Sequence, residues 1–302
     1  MKLVILSGPS GVGKSPAVHA LKKMYRSEMS RVGTVTLFTS RAKRLNEVEG
    51  RHYHFRSRKE ILGFDRSRFL VVKVRQDVQA IDVDEVKQNL KKFDVLFAEV
   101  YPTLGMHLSS MLPGVPTTRI AMVPFSSSQL NEEAARLGTN TEEALAIAMR
   151  KKITGRHRNL YKTVPTTAEL RVITDRARQA FDECQWMDGY EHTVVNEIGE
   201  DCEKQWSLPL RGRTLRVVQE IASCLFSELV WQRVAYGPVF DGPGPGDGSD
   251  AVIGTDWFFG PPGSWKEPAQ KVANSLSDET RNVVCWLDRI EELKQTSWVG
   301  YQ

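Results

Sequence analysis

The stretch Gly8-Pro9-Ser10-Gly11-Val12-Gly13-Lys14-Ser15, preceded by the apolar run Leu3-Val4-Ile5-Leu6, decides the fold. Gly8, four intervening residues, then Gly13-Lys14-Ser15 match the phosphate-binding loop pattern G-x-x-x-x-G-K-[ST]. In such a loop backbone N–H groups curl around phosphate oxygens, the lysine reaches the terminal phosphates and the hydroxyl sits on Mg²⁺. The apolar run predicts a buried strand feeding the loop. Residues 16–25 predict a helix whose N-terminus adds partial positive charge to the same anion site. Pro16 falls in the first turn of that helix, where its missing N–H costs little.

Working outward, apolar runs predict strands at residues 2–7, 34–38, 69–74, 94–99, 118–123 and 192–196. Helices are expected at 16–25, 82–92, 127–137, 141–154, 166–186 and 215–231, with Glu142 and Glu143 following Thr141 where the helix dipole favours acidic residues. The alternation implies an α/β fold with a mainly parallel sheet covered by helices on both faces. The composition breaks after Tyr236: residues 237–250 are rich in Gly, Pro and Asp and read as a linker or open loop. The expected organisation is therefore a phosphate-loop domain over 1–236, a linker over 237–268 and a helical extension over 269–302, with a final helix at 277–295.

The 302 residues carry 41 Lys and Arg against 37 Asp and Glu, a net charge of +4. That modest excess is weak evidence for a nucleic-acid surface, and no nucleic-acid partner is expected. No apolar run approaches the roughly 20 residues of a membrane helix, and the first apolar run is too short for a secretion signal, so a cytoplasmic setting is expected. The four cysteines, Cys184, Cys202, Cys224 and Cys285, form no C-x-x-C pair and suggest reduced thiols.

A second constellation lies downstream. Thr39-Ser40-Arg41-Ala42-Lys43-Arg44 is followed by Glu47-Val48-Glu49-Gly50-Arg51-His52-Tyr53-His54-Phe55. Two guanidinium groups and a phenol can converge on one phosphate. Taken with the phosphate loop, this order and spacing resembles the guanylate kinase family across roughly residues 1–200. Arg136-Leu137-Gly138-Thr139-Asn140-Thr141 resembles the family's lid, here about 136–165, and Val194-Val195-Asn196-Glu197 resembles its strand near the adenine.

The resemblance implies a phosphotransferase using ATP and Mg²⁺. Gly8, Ser10, Gly11, Val12, Gly13, Lys14, Ser15, Pro16 and Asn196 would form the ATP site. Ser15 and Glu99 would serve the metal, and Arg41, Arg44 and Tyr53 would hold the acceptor phosphate, with Glu99 at the strand end beside them. Lys14, Arg41 and a lid arginine would carry catalysis. Arg150 is the first choice for that arginine, with Arg156 and Arg158 behind it.

The departures concern base recognition. Where the family has a guanine-reading serine, this chain has Leu37, and Val71 stands where a glutamate reads the guanine edge. A phosphate-holding tyrosine and a small hydroxyl residue fall near Ala80 and Asp82. Asp77 and Asp82 are the carboxylates near enough to replace a reader. A site that loses its polar partners loses discrimination, so the expected acceptor is a nucleoside monophosphate other than GMP. The alternatives are a sugar phosphate such as ribose 1,5-bisphosphate, or a non-catalytic interaction module. The intact loop opposes the last.

Overall fold

The computed structural model describes residues 1–44, 47–226, 230–238, 254–260 and 283–288. The chain divides into two compact units, one spanning Met1–Cys224 and the other Leu225–Val299.

The first unit follows the chain order β1 (Lys2–Ser7), α1 (Lys14–Met24), α2 (Arg26–Met29), β2 (Val32–Thr34), β3 (Leu37–Thr39), β4 (Tyr53–Phe55), α3 (Arg58–Leu62), β5 (Phe69–Val74), β6 (Asp77–Asp82), α4 (Val83–Leu90), β7 (Val95–Glu99) and α5 (Pro102–Ser110). It continues through β8 (Thr117–Val123), α6 (Ser127–Leu137), α7 (Thr141–Tyr161), α8 (Thr167–Arg178), α9 (Ala180–Gln185), β9 (His192–Val195), a 3₁₀ turn (Glu203–Trp206) and α10 (Gly212–Leu225). A five-stranded parallel sheet runs in the order β2-β7-β1-β8-β9. Leu3, Val4, Ile5 and Leu6 of β1 are fully buried, because helices cover both faces. Leu6 pairs with Glu99 and with Ile120, so the ends of β1 and β7 lie level. The phosphate loop therefore emerges beside Glu99.

A second sheet, β4-β3-β6-β5, is mostly antiparallel. The strand expected at 34–38 is divided between the two sheets. Thr34 ends in the large sheet, the Val35 N–H donates to the Phe97 carbonyl, and Leu37 begins the small one. An apolar run carries no signal for a change of sheet. The strands β4 and β6, and the helices α3 and α5, are additions to the expected elements.

Helix boundaries follow local chemistry. Asn140 caps α7 by accepting from the Glu143 N–H at 2.8 Å, and α7 runs past 154 until Lys162 turns left-handed at φ 56°. The helix expected at 166–186 is broken at Gln179 into α8 and α9. Among the described residues no helix is long and apolar enough to cross a membrane.

The second unit contains an antiparallel three-stranded sheet of β10 (Val230–Pro238), β11 (Gly254–Gly260) and β12 (Val283–Asp288), with β10 central. These strands differ from the expected elements. The helix at 215–231 stops at Leu225, and β10 runs through the junction placed at 236. Part of the 237–268 linker is strand β11, and the core of the helix at 277–295 is strand β12. The run Val283-Val284-Cys285-Trp286-Leu287 is β-branched and aromatic, a composition that suits a pleated ladder better than a helix. The rest of those segments lies outside the described residues.

Candidate functional site

The phosphate loop is held from behind by Asn196. This side chain, 1% exposed, donates to the Val12 carbonyl at 2.7 Å and accepts from the Ile198 N–H at 3.1 Å. Gly13 sits at φ 104°, and a Cβ there would collide with the Asn196 amide and the Ile198 carbonyl. Only glycine fits that contact. Val12 is fully buried behind the loop, and Pro16 lies in the first turn of α1. Neither lines the cavity, nor do Gly13 and Asn196. Asn196, expected near the adenine, braces the loop.

Gly8, Ser10, Gly11, Lys14 and Ser15 do line the cavity. Lys14 Nζ donates to the carbonyls of Gly8 at 2.7 Å and Pro9 at 3.1 Å, which places the ammonium at the loop mouth. Burial lowers its pKa, while Glu99, Glu200 and Glu183 oppose the shift. The Ser15 hydroxyl donates to Glu99 Oε1 at 3.2 Å. Burial raises the Glu99 pKa, with Lys14 pulling the other way.

Hydroxyl and carboxylate oxygens adjacent to a phosphate loop suit Mg²⁺, which takes one or two protein oxygens and completes its shell with phosphates and water. Among the described residues no group of three or more His, Cys, Asp or Glu could hold an ion by itself. The Ser15–Glu99 pair fits an ion that arrives with its nucleotide.

On the other side, Arg41, Arg44 and Tyr53 line the same cavity. Arg41 forks onto Glu47, its Nη1 donating to Oε2 at 2.7 Å and its Nη2 to Oε1, and it covers the Tyr53 ring at 4.7 Å. Burial works against the Arg41 charge, but the Glu47 and Tyr53 contacts together outweigh it and raise the pKa. Arg44 donates its backbone N–H to Glu47 at 2.9 Å, while its guanidinium is 3.9 Å from that carboxylate. Burial and the proximity of Arg156 and Arg41 lower the Arg44 pKa. The cavity thus gathers like charges that favour an anionic ligand.

Other expected site residues lie elsewhere. Leu37 is 3% exposed and belongs to the main core with Leu3, Ile5 and Leu96. Val71 packs on the small cluster of Ile61, Val78 and Ala80. Asp82 caps α4, accepting from the N–H groups of Asp84 and Glu85, and pairs with Arg68. Burial pushes its pKa up, but those hydrogen bonds hold it below the usual carboxylate value. Arg150 is exposed on α7 and does not reach the cavity; Arg156, six residues on, does, donating to Glu200 at 2.9 Å.

Several lining residues escape a reading of the sequence. Arg75, Gln76, Asp77 and Gln79 come from the β5–β6 hairpin, of which only Asp77 is singled out by its charge. Val172, Asp175, Arg176 and Gln179 come from α8 and its end. Their spacing of three, four and seven residues is one helical face, a signal the sequence does contain. Burial, together with Arg75, Arg156 and Arg44, pushes Arg176 down to about 10.

The sheet order, the loop at the end of β1 and the arginine-lined cavity beyond it define a P-loop phosphotransferase of the nucleoside monophosphate kinase class. The guanylate kinase family model matches residues 1–164, just over half of the chain. A guanylate kinase from Bacillus cereus is 25% identical over 219 residues, covering 67% of this chain and 90% of that protein. One from Haemophilus influenzae is 31% identical over 154 residues, covering 50% and 72%. Guanylate kinase 1 of Oryza sativa subsp. japonica is 31% identical over 153 residues, covering 49% of this chain and only 38% of the rice protein. The chain belongs to the guanylate kinase family.

Proposed function

We propose that the unit Met1–Cys224 transfers the terminal phosphoryl group of ATP to the phosphate of a nucleoside monophosphate other than GMP, with residues 136–165 as lid. The observation that carries this reading is the cavity lined by Lys14 and Ser15 on one side and by Arg41, Arg44 and Tyr53 on the other. Phosphoryl transfer asks chiefly for alignment of two phosphates and neutralisation of the charge between them. In this reading the loop N–H groups and Lys14 hold the donor, and the Arg41–Arg44 pair holds the acceptor phosphate. Arg156 and Arg176 then face the transferring group. Mg²⁺, held at Ser15 and Glu99, would neutralise and align the donor phosphates. Leu37 and Val71 stand where the resemblance expects polar readers of guanine and offer none, which supports an acceptor that is not GMP. A cytoplasmic setting, where ATP and phosphate esters are held, suits this activity.

A sugar phosphate such as ribose 1,5-bisphosphate is the second reading. One observation favours it: Arg41 lies over one face of the Tyr53 ring and Arg75 over one face of the Tyr101 ring, at 4.7 and 5.4 Å, which leaves less aromatic surface for a base to stack on. ADP formation measured over a panel of ribo- and deoxyribonucleoside monophosphates and pentose phosphates tests both. Turnover of nucleotides selects the first reading, and turnover of sugar phosphates alone selects the second. Silence with every acceptor sinks both and favours an interaction module.

A further inference from the structure

One cation of the cavity belongs to neither phosphate-binding motif. Arg75 lines the cavity from the β5–β6 turn, where Val74 pairs with Asp77 and Arg75 and Gln76 alone lie between. A positive φ at the first residue of such a two-residue turn favours glycine, yet arginine takes it here at 57°. The side chain is anchored by a residue 108 positions on. Its Nε donates to Oε1 of Glu183 on α9 at 2.9 Å, Nη2 donates to the same oxygen, and the guanidinium lies over the Tyr101 ring at 5.4 Å. Glu183 itself is fully buried and does not line the cavity.

A buried ion pair is a poor source of stability, because desolvation of both charges offsets their attraction. What this pair supplies is direction. Two nitrogens of Arg75 are tied to Glu183, while the third, Nη1, makes no hydrogen bond within the described residues and keeps accessible surface. The Arg75 charge is felt by Lys14 of the phosphate loop, and it leads the neighbouring charges that act on Arg176 of α8. Loop, hairpin and α8 thus bring three cations within reach of one another. We propose that Arg75 is a further catalytic residue, its Nη1 donating to the phosphoryl group as it passes between donor and acceptor, and that Glu183 is its positioning residue. The inference rests on the phosphoryl-transfer reading of the same cavity. In the step the bond from phosphorus to the departing ADP oxygen breaks and one to an oxygen of the acceptor phosphate forms. Arg75 keeps its proton throughout. A donor fixed beforehand stabilises the charge on the transferring oxygens without having to be reoriented during the step.

The test compares the wild type with Arg75→Lys, Arg75→Gly, Glu183→Gln and the double variant Arg75→Gly/Glu183→Gln. ATP is the donor, and GMP, dGMP, IMP, ribose 5-phosphate and ribose 1,5-bisphosphate are the acceptors. Glycine suits the turn, so the double variant removes both charges and keeps the hairpin. On each acceptor that the wild type turns over, Arg75→Lys lowers kcat about tenfold and the double variant about a hundredfold, with both KM values held within about threefold. Glu183→Gln alone lowers kcat about tenfold. Added to Arg75→Gly it causes no further loss of kcat and raises the Tm, because it removes a buried charge left without a partner. Lysine keeps a cation beside Glu183, so Arg75→Lys decides the matter where the double variant does not fold. A double variant that regains wild-type kcat along with its Tm makes the pair purely structural and overturns the inference, leaving the proposed function standing. So does an Arg75→Lys kcat equal to that of the wild type, or a loss confined to either KM. Absence of wild-type turnover with every acceptor overturns the proposed function, and the inference with it.

Discussion

The two ends of the cavity are built on opposite plans. The donor end is backbone, a loop fixed by glycine contacts and by one buried amide, Asn196, that ties Val12 to Ile198. The acceptor end is side chain, with Arg41 resting on Glu47, Arg75 on Glu183 and Arg156 on Glu200. A backbone site tolerates little change in sequence, because its geometry depends on residues with no side chain or a single allowed one. A side-chain site can keep its charge while its contributors move from element to element.

The contrast breaks most sharply at Lys14, where the backbone end relies on one charge. Lys14→Ala is expected to lower kcat by about a thousandfold or more at saturating ATP, the scale of losing a preorganised group on the transferring charge; steady-state ADP release measures it. Next comes Arg41→Lys, which keeps the charge but loses the fork on Glu47 and the cover over Tyr53. Acceptor kcat/KM should fall about a hundredfold with the ATP affinity unchanged. Equal losses on both substrates would mean that the two ends are not separable.

The bracing of the donor end is open to titration. Lys152, 8% exposed, donates to the Glu197 carbonyl at 2.6 Å, and burial pushes its pKa down to about 8 against the pull of Asp201 and Cys202. Its folded pKa lies below the unfolded value, so between the two the unfolded chain binds the extra proton. Stability relative to Lys152→Met should therefore be flat below about pH 8 and rise from there toward about pH 10.5, by up to about 3 kcal/mol. Urea unfolding across that range checks the slope, and a flat difference removes the buried charge from the account. Asn196→Leu leaves the Val12 carbonyl and Ile198 N–H unpaired; a loss of about 2 kcal/mol in the same assay, with weaker ATP binding by calorimetry, is expected. The smallest effects distinguish neighbours on α7. Arg156→Ala should cost about tenfold in kcat, whereas the exposed Arg150→Ala should stay within about twofold.

The same contrast explains what can be read from the sequence. The loop, its strand and the parallel sheet are legible because each depends on a contiguous pattern, the glycine spacing at 8–15 or the unbroken apolar run at 3–6. Arg41, Arg44 and Tyr53 are legible through a fixed local spacing. Gln79 and Arg75 are not, because the strand carrying Gln79 alternates weakly and offers no continuous apolar run. Arg176 and Gln179 sit in a helix correctly expected but read as one uninterrupted element. Leu37 and Val71 fall at the site by ungapped position, yet their apolar character places them in the core. Composition misleads most in the second unit, where strands β11 and β12 occupy segments that read as linker and helix.

The acceptor-side strands leave the large sheet after Thr34 and rejoin the main body at Val83, the first residue of α4, so the whole wall is a single insertion with one entrance and one exit. Both ends are rooted in the same core, Leu37 at the start and Ile81 and Val83 at the finish, beside Leu3 and Leu96. Exchanging residues 35–82 while keeping those apolar roots should therefore change one wall of the cavity and leave the phosphate loop in place.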